Sequence, residues 1–311
     1  MKVSVVFQFL LLSGGQRLFT EAFLSPASRH VTVGKMGGPY IRSPPTVSLA
    51  ATLPTVPSCA AKQVGKTILV SGAAGIIGQL GLYRLFRRFR IPQPAFRAHS
   101  VVALSFVVLL SFYGSIGWWN LPATTAATRL IKTDASARWM GATVVGAMGL
   151  WDVPTTVRVK ELRKPDVIIH HCMMTLVALV GALQLPTYYA YFYLGVCELS
   201  SIPLVLLELC TPAPQQQEQL STNRLAALQP ILTVMTAVSF SIVRAYYFTK
   251  VTLRNFIPDI VAVWSGVAMS LGQRQAIRFL LVASLGFTLL QLYWFYTQIV
   301  SVVWNGKNNT G

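Results

Sequence analysis

Apolar runs close to twenty residues long recur through most of this chain, and they constrain its fold more than any motif does. Ser100 to Trp119, Asp166 to Leu185, Tyr188 to Leu209, Leu225 to Phe248 and Phe279 to Trp304 are clear. Arg138 to Val157 is weaker, with glycines at 141, 146 and 149, and Pro154 is expected to kink or end it. A helix of about twenty residues matches the roughly 30 Å hydrocarbon core of a bilayer. No water in that core can satisfy exposed backbone groups, so such runs must be helical. Composition agrees: 53% of the 311 residues are hydrophobic and 11% are charged, against roughly 25% charged in a soluble domain. The expected fold is all-α, a multi-pass membrane helical bundle.

The net charge of +17 does not point to nucleic acid, because no basic patch is interleaved with aromatics. Much of the excess lies between Ala22 and Thr133, where there is no Asp or Glu. Basic loops flanking membrane helices account for the rest. Basic side chains are more numerous on loops 84–98, 158–164, 210–224 and the C-terminal tail than on the alternate loops, which places that face in the cytosol or stroma. The acceptor pattern Asn308-Asn-Thr310 should then escape glycosylation. Cys59, Cys172, Cys197 and Cys210 have neither metal nor redox spacing and read as packing residues or free thiols.

Residues 1–22 have the form of a signal peptide or signal anchor, with Lys2 before a short apolar run. Residues 23–65 are rich in small, hydroxylated and basic residues, as transit peptides are, and read as disordered. Phe23 just after Ala22 resembles the bipartite presequences of algae with secondary plastids, which implies a plastid membrane, with the endoplasmic reticulum as the alternative. Gly72, Gly75 and Gly78 imitate the turn of a dinucleotide fold, but no acid follows and no βαβ units succeed it. Residues 66–90 instead read as a short membrane or interfacial helix with a basic anchor, and 257–271 as a short or re-entrant helix. The segment 211–223 is a polar, low-complexity loop.

Ionisable side chains inside a span are costly, so each one is a functional candidate by default. His170 and His171 open one apolar run, about 100° apart in direction, and Thr175 shares a face with His171. Glu198 sits near the middle of the next run, followed by Ser200, Ser201 and Pro203. Pro203 frees a backbone carbonyl that these hydroxyls or a water could satisfy. Arg244 lies in the following run, with Tyr246 and Tyr247 after it, and Gln291 and Trp294 share a face in the last. Glu198 and Arg244 are most economically placed facing each other. Asp166, His170 and Glu198 could in principle share a metal, but two histidines in the bundle are too few for the di-iron lipid enzymes, so no metal is expected.

Three landmarks occur in order: paired histidines with Thr175, the run Arg244-Ala-Tyr-Tyr247, and Leu290-Gln291-Leu-Tyr-Trp294-Phe295-Tyr296. Their order over residues 95–304 resembles the TLC family, which includes the ceramide synthases and the TLC domain-containing proteins. The resemblance implies about six core helices in a barrel around a lipid-sized cavity. One or two short N-terminal or re-entrant helices would accompany them, and residues 305–311 would form a tail. Ceramide synthases carry His-Asp-x-x-Asp in the span after the paired histidines. This chain has Cys197-Glu198-Leu199-Ser200-Ser201 there, which argues against ceramide synthesis. It looks closer to the TLC domain-containing branch, linked to phospholipid composition and membrane fluidity.

The expected function is therefore to bind or sense membrane lipid in a central cavity and to influence lipid composition. His170, His171, Thr175, Glu198 and Arg244 would form its polar centre, and Ser201, Tyr247, Gln291 and Trp294 would line the cavity. One alternative is an acyltransferase with His171 as base or nucleophile and Glu198 orienting it. Acyl-CoA would be needed only in that case, and no other cofactor is implied. A second alternative is a structural membrane protein without lipid chemistry.

Overall fold

The computed structural model describes residues 58–308, apart from 123, 133, 184–186, 212–223, 267, 268 and 270. The signal segment, the transit segment up to residue 57, the turn at Pro186, the 212–223 loop and the end of the tail lie outside the described residues, while residues 58–65, expected to be disordered, are helical. Helix α1 is Ser58–Arg88, α2 is Pro94–Trp119 and the short α3 is Ala126–Ile131. Helix α4 begins at Ala135–Val144 and runs on through Val145–Asp152 and Val153–Arg158. Helix α5 is Pro165–Leu183, and α6 covers 187–210 with a tightened 3₁₀ stretch at Val196–Ser200. Helix α7 covers 224–266, and α8 is Leu271–Asn308. No β-strand occurs among the described residues.

Six of these helices are long and apolar enough to cross a membrane. Helix α4 is the less apolar seventh and packs between α1 and α5. Large apolar side chains such as Leu69, Phe112, Val282 and Leu289 stay exposed on the outside, as a lipid-facing surface requires.

Three sequence expectations change. The first helix is not short: it starts at Ser58, because Val64 is buried against Ala142 and Ala182 and so extends the docking surface. Pro154 does not end α4, and residues 257–266 are not a separate re-entrant helix but the last turns of α7. In both places a widened π-helical stretch precedes the proline, Val145–Asp152 before Pro154 and Thr252–Phe256 before Pro258. The wider turn absorbs the missing N–H that would break a regular ladder.

Glycines explain the closest crossings. A methyl group on Gly75 would fall 2.5 Å from the Trp151 ring, and one on Gly146 would fall 2.2 Å from the Ile68 carbonyl. Of the glycines that imitate a dinucleotide turn, Gly72 and Gly75 thus let α1 lie against the π-helical part of α4, and Gly78 meets Val102 of α2. At one end of the bundle Arg129 on α3 forms a two-pronged ion pair with Asp259 on α7, and the Tyr189 hydroxyl donates to the same carboxylate at 2.5 Å. Hydrogen bonding to Asp259 raises the Arg129 guanidinium above its ordinary range, so the guanidinium stays charged at any physiological pH.

Candidate functional site

The helices enclose a cavity of about 380 Å³. One wall is apolar, built by Ala103, Phe106 and Val107 of α2 and by Val144, Ala147 and Met148 of α4. The lining also carries ionisable groups, His170, His171, Glu198 and Arg244 from α5, α6 and α7 and His99 and Asp152 from α2 and α4. A second, apolar chamber has a volume of about 50 Å³. Met174, Leu194 and Phe248 of that chamber are each four residues from His170, Glu198 and Arg244, always toward the same face of the bundle.

Glu198 and Arg244 meet across α6 and α7. The Arg244 Nη2 donates to Glu198 Oε1 at 3.2 Å and to Ser201 Oγ at 2.8 Å. Its Nε donates to Ser200 Oγ at 3.0 Å and to the Cys197 carbonyl at 3.2 Å. The break in α6 creates these acceptors. Gly195 leaves the helical region at φ −129° and ψ −71°, the chain tightens over Val196–Ser200, and Pro203 follows. The Cys197 carbonyl accepts from the Ser200 hydroxyl and from the arginine fork, a planar set of donors suited to this task. Arg244 itself sits in the π-helical stretch Phe240–Tyr247.

Asp152 joins the site from α4, at the end of the other long π-helical stretch. Its carboxylate pairs with His99 Nε2 at 2.5 Å, accepts from Thr156 Oγ1 at 3.4 Å, and contacts His171 Nδ1 on its second oxygen. The last contact has ion-pair proximity without hydrogen-bond alignment. The His99 ring stacks on Trp151 with centroids 5.1 Å apart. Sequence reasoning passed over both Asp152 and His99, although Asp152 is the one acid between Arg138 and Val157 and met the same cost criterion as Glu198.

The remaining candidates divide. Ser201 and Trp294 line the cavity, and the Trp294 indole donates to Asp166 Oδ2 at 3.0 Å across its rim. His170 also lines it, with its ring 5.4 Å from that of Phe287 and 5.1 Å from that of Trp294. Thr175 does not reach it, because its hydroxyl bonds back to the His171 carbonyl at 2.8 Å and its methyl fills the notch at Gly149. Tyr247 and Gln291 do not line it either. Gln291 is 1% exposed, and neither of its amide atoms has a partner among the described residues. His170 Nδ1 is in the same condition. Each such buried group costs about 1–3 kcal/mol if nothing pairs with it. No group of three or more His, Cys, Asp or Glu side chains able to hold a metal occurs among the described residues.

A helical bundle that crosses the membrane several times around a polar-centred cavity defines the class of this protein. The TLC domain of the TRAM/LAG1/CLN8 family matches residues 97–300, and the chain belongs to that family as an integral, multi-pass membrane protein. No curated protein and no solved structure matches the chain.

Proposed function

We propose that this protein holds a membrane lipid in its central cavity and thereby influences membrane lipid composition. The observation that carries the reading is the mixed lining. Apolar side chains of α2 and α4 share one cavity with the buried Asp152, Glu198 and Arg244 and the partly exposed His171. An amphiphile matches such a surface, and the volume falls within the roughly 300–1,000 Å³ usual for small-ligand sites. The presequence features support a plastid membrane, or else the endoplasmic reticulum.

The test is the lipid carried through purification in mild detergent. Wild-type protein should retain near-stoichiometric lipid. Ala103→Trp, which pushes an indole into the cavity from its apolar wall, should lose most of it while remaining monodisperse. Equal lipid content in the two would reject the reading.

The Asp152–His171 contact favours one other reading. A carboxylate in ion-pair proximity to an imidazole beside a substrate-sized cavity suits a general base. In an acyltransferase His171 would take the proton from an attacking hydroxyl or amine and give it to the departing thiolate as the carbon–sulfur bond broke and the acyl group joined the acceptor. Purified protein given acyl-CoA and candidate acceptors would then turn over, and a complete lack of product would leave the binding reading alone.

A further inference from the structure

The charged side chains that line the cavity sort by depth. Asp152, Glu198 and Arg244 are buried and engaged with groups inside the bundle. Asp152 meets His99, His171 and Thr156, and Arg244 meets Glu198, Ser200, Ser201 and the Cys197 carbonyl. Lys164, Asp166 and Glu208 lie further out: the first two are exposed and Glu208 is half-buried, so they mark the mouth of the cavity. Asp166 accepts from the Trp294 indole at 3.0 Å. Lys164 and Glu208 are within electrostatic reach of each other. Yet neither side chain has a hydrogen bond or an ion pair among the described residues.

Local structure favours neither of these two charges. Lys164 directly precedes Pro165, the first residue of α5, and so adds a cation at the positive end of that helix. Glu208 sits in the last turn of α6, which ends at Cys210, and so adds an anion at the negative end. It also falls within the apolar span Tyr188–Cys210, where an acid without a partner is costly. Arg158, Lys160 and Arg163 of the same basic loop do not line the cavity, whereas Lys164 does. The mouth therefore has a positive corner at the start of α5 and a negative corner at the end of α6. A hydroxyl compensates neither charge, and a lone phosphate compensates only the first.

We infer that Lys164 and Glu208 receive the headgroup of a zwitterionic phospholipid, its phosphate on Lys164 and its ammonium on Glu208. The acyl portion then lies against Phe106, Val107 and Leu204 of the same lining. This rests on the proposed lipid-holding function and narrows it to a class of lipid.

The experiment uses the purified full chain, stripped of lipid and offered three probes of identical acyl chains: phosphatidylcholine, phosphatidic acid and diacylglycerol. Wild type should retain phosphatidylcholine about tenfold better than either of the others, which corresponds to about 1.4 kcal/mol. Lys164→Gln should lower retention of both phosphate-bearing probes and leave diacylglycerol unchanged. Glu208→Gln should abolish the preference for phosphatidylcholine over phosphatidic acid. Neither side chain has a partner to lose, so the lipid-free variants should unfold at or above the wild-type temperature. Wild-type retention of diacylglycerol or phosphatidic acid equal to that of phosphatidylcholine overturns the inference while lipid holding stands. Unchanged selectivity in both variants overturns it too. A marked fall in the unfolding temperature of either lipid-free variant would assign the charges to folding and overturn it as well. If wild type retains none of the probes, the lipid-holding function itself fails and this inference falls with it.

Discussion

Glu198→Ala should remove most of the folded protein. The substitution leaves the Arg244 guanidinium, 6% exposed, with only neutral oxygens from Ser200, Ser201 and Cys197 around it. Stripping one partner from a buried pair costs about 3–5 kcal/mol, because the surviving charge has already given up its solvent. Glu198→Gln keeps an acceptor and should be milder. Pairing Glu198→Leu with Arg244→Met removes both charges and should recover much of the lost stability. Thermal unfolding in detergent separates these cases, and a Glu198→Ala protein as stable as wild type would show that the pair contributes nothing.

Gly114→Ala should be nearly as damaging, for a steric reason. A methyl group there would sit 2.3 Å from the Gly195 Cα and 2.7 Å from the Tyr191 carbonyl oxygen. Both obstacles are backbone, so no rotamer change relieves the clash and α2 must move away from α6. Overpacking costs about 1–3 kcal/mol where side chains can adjust, and here the cost should reach or pass the upper figure. The crossing also fixes where α6 breaks at Gly195, so the Glu198 carboxylate should shift with it. Gly81→Ala is the control. Nothing lies within 4 Å of its added methyl group, so it should be neutral or slightly stabilising. Equal unfolding temperatures for Gly114→Ala and Gly81→Ala would contradict this account of the crossing.

The sequence made the costly groups visible wherever a long, clear apolar run surrounded them. His171, Glu198 and Arg244 stood out because charge is rare in hydrocarbon, and all three line one cavity. Asp152 carried the same signal and was missed, partly because Pro154 suggested a helix end where a π-helical stretch carries the chain onward. His99 lies just before an apolar run, where a histidine reads as an interfacial residue. Thr175 shares a helix face with His171, yet a threonine in a helix can satisfy itself on the preceding turn, and this one does. Gln291 was expected at the cavity on spacing alone. Spacing fixes the face of a helix but not what the neighbouring rings cover, and Phe287 and Trp294 hold the His170 contacts on either side of it. The reach of α1 back to Ser58 depends on small residues of α4 and α5 far along the chain, which no local pattern reveals.

The lipid profile of cells lacking the protein, restored with either wild type or His171→Ala, tests the central claim most directly. The His171 side chain is 22% exposed and touches Asp152, so its loss should leave expression near wild type while altering the polar side of the cavity. The account predicts that cells without the protein differ from wild type in membrane lipid composition, and that His171→Ala, present at normal levels, fails to restore it. An identical lipid profile with and without the protein would contradict the account.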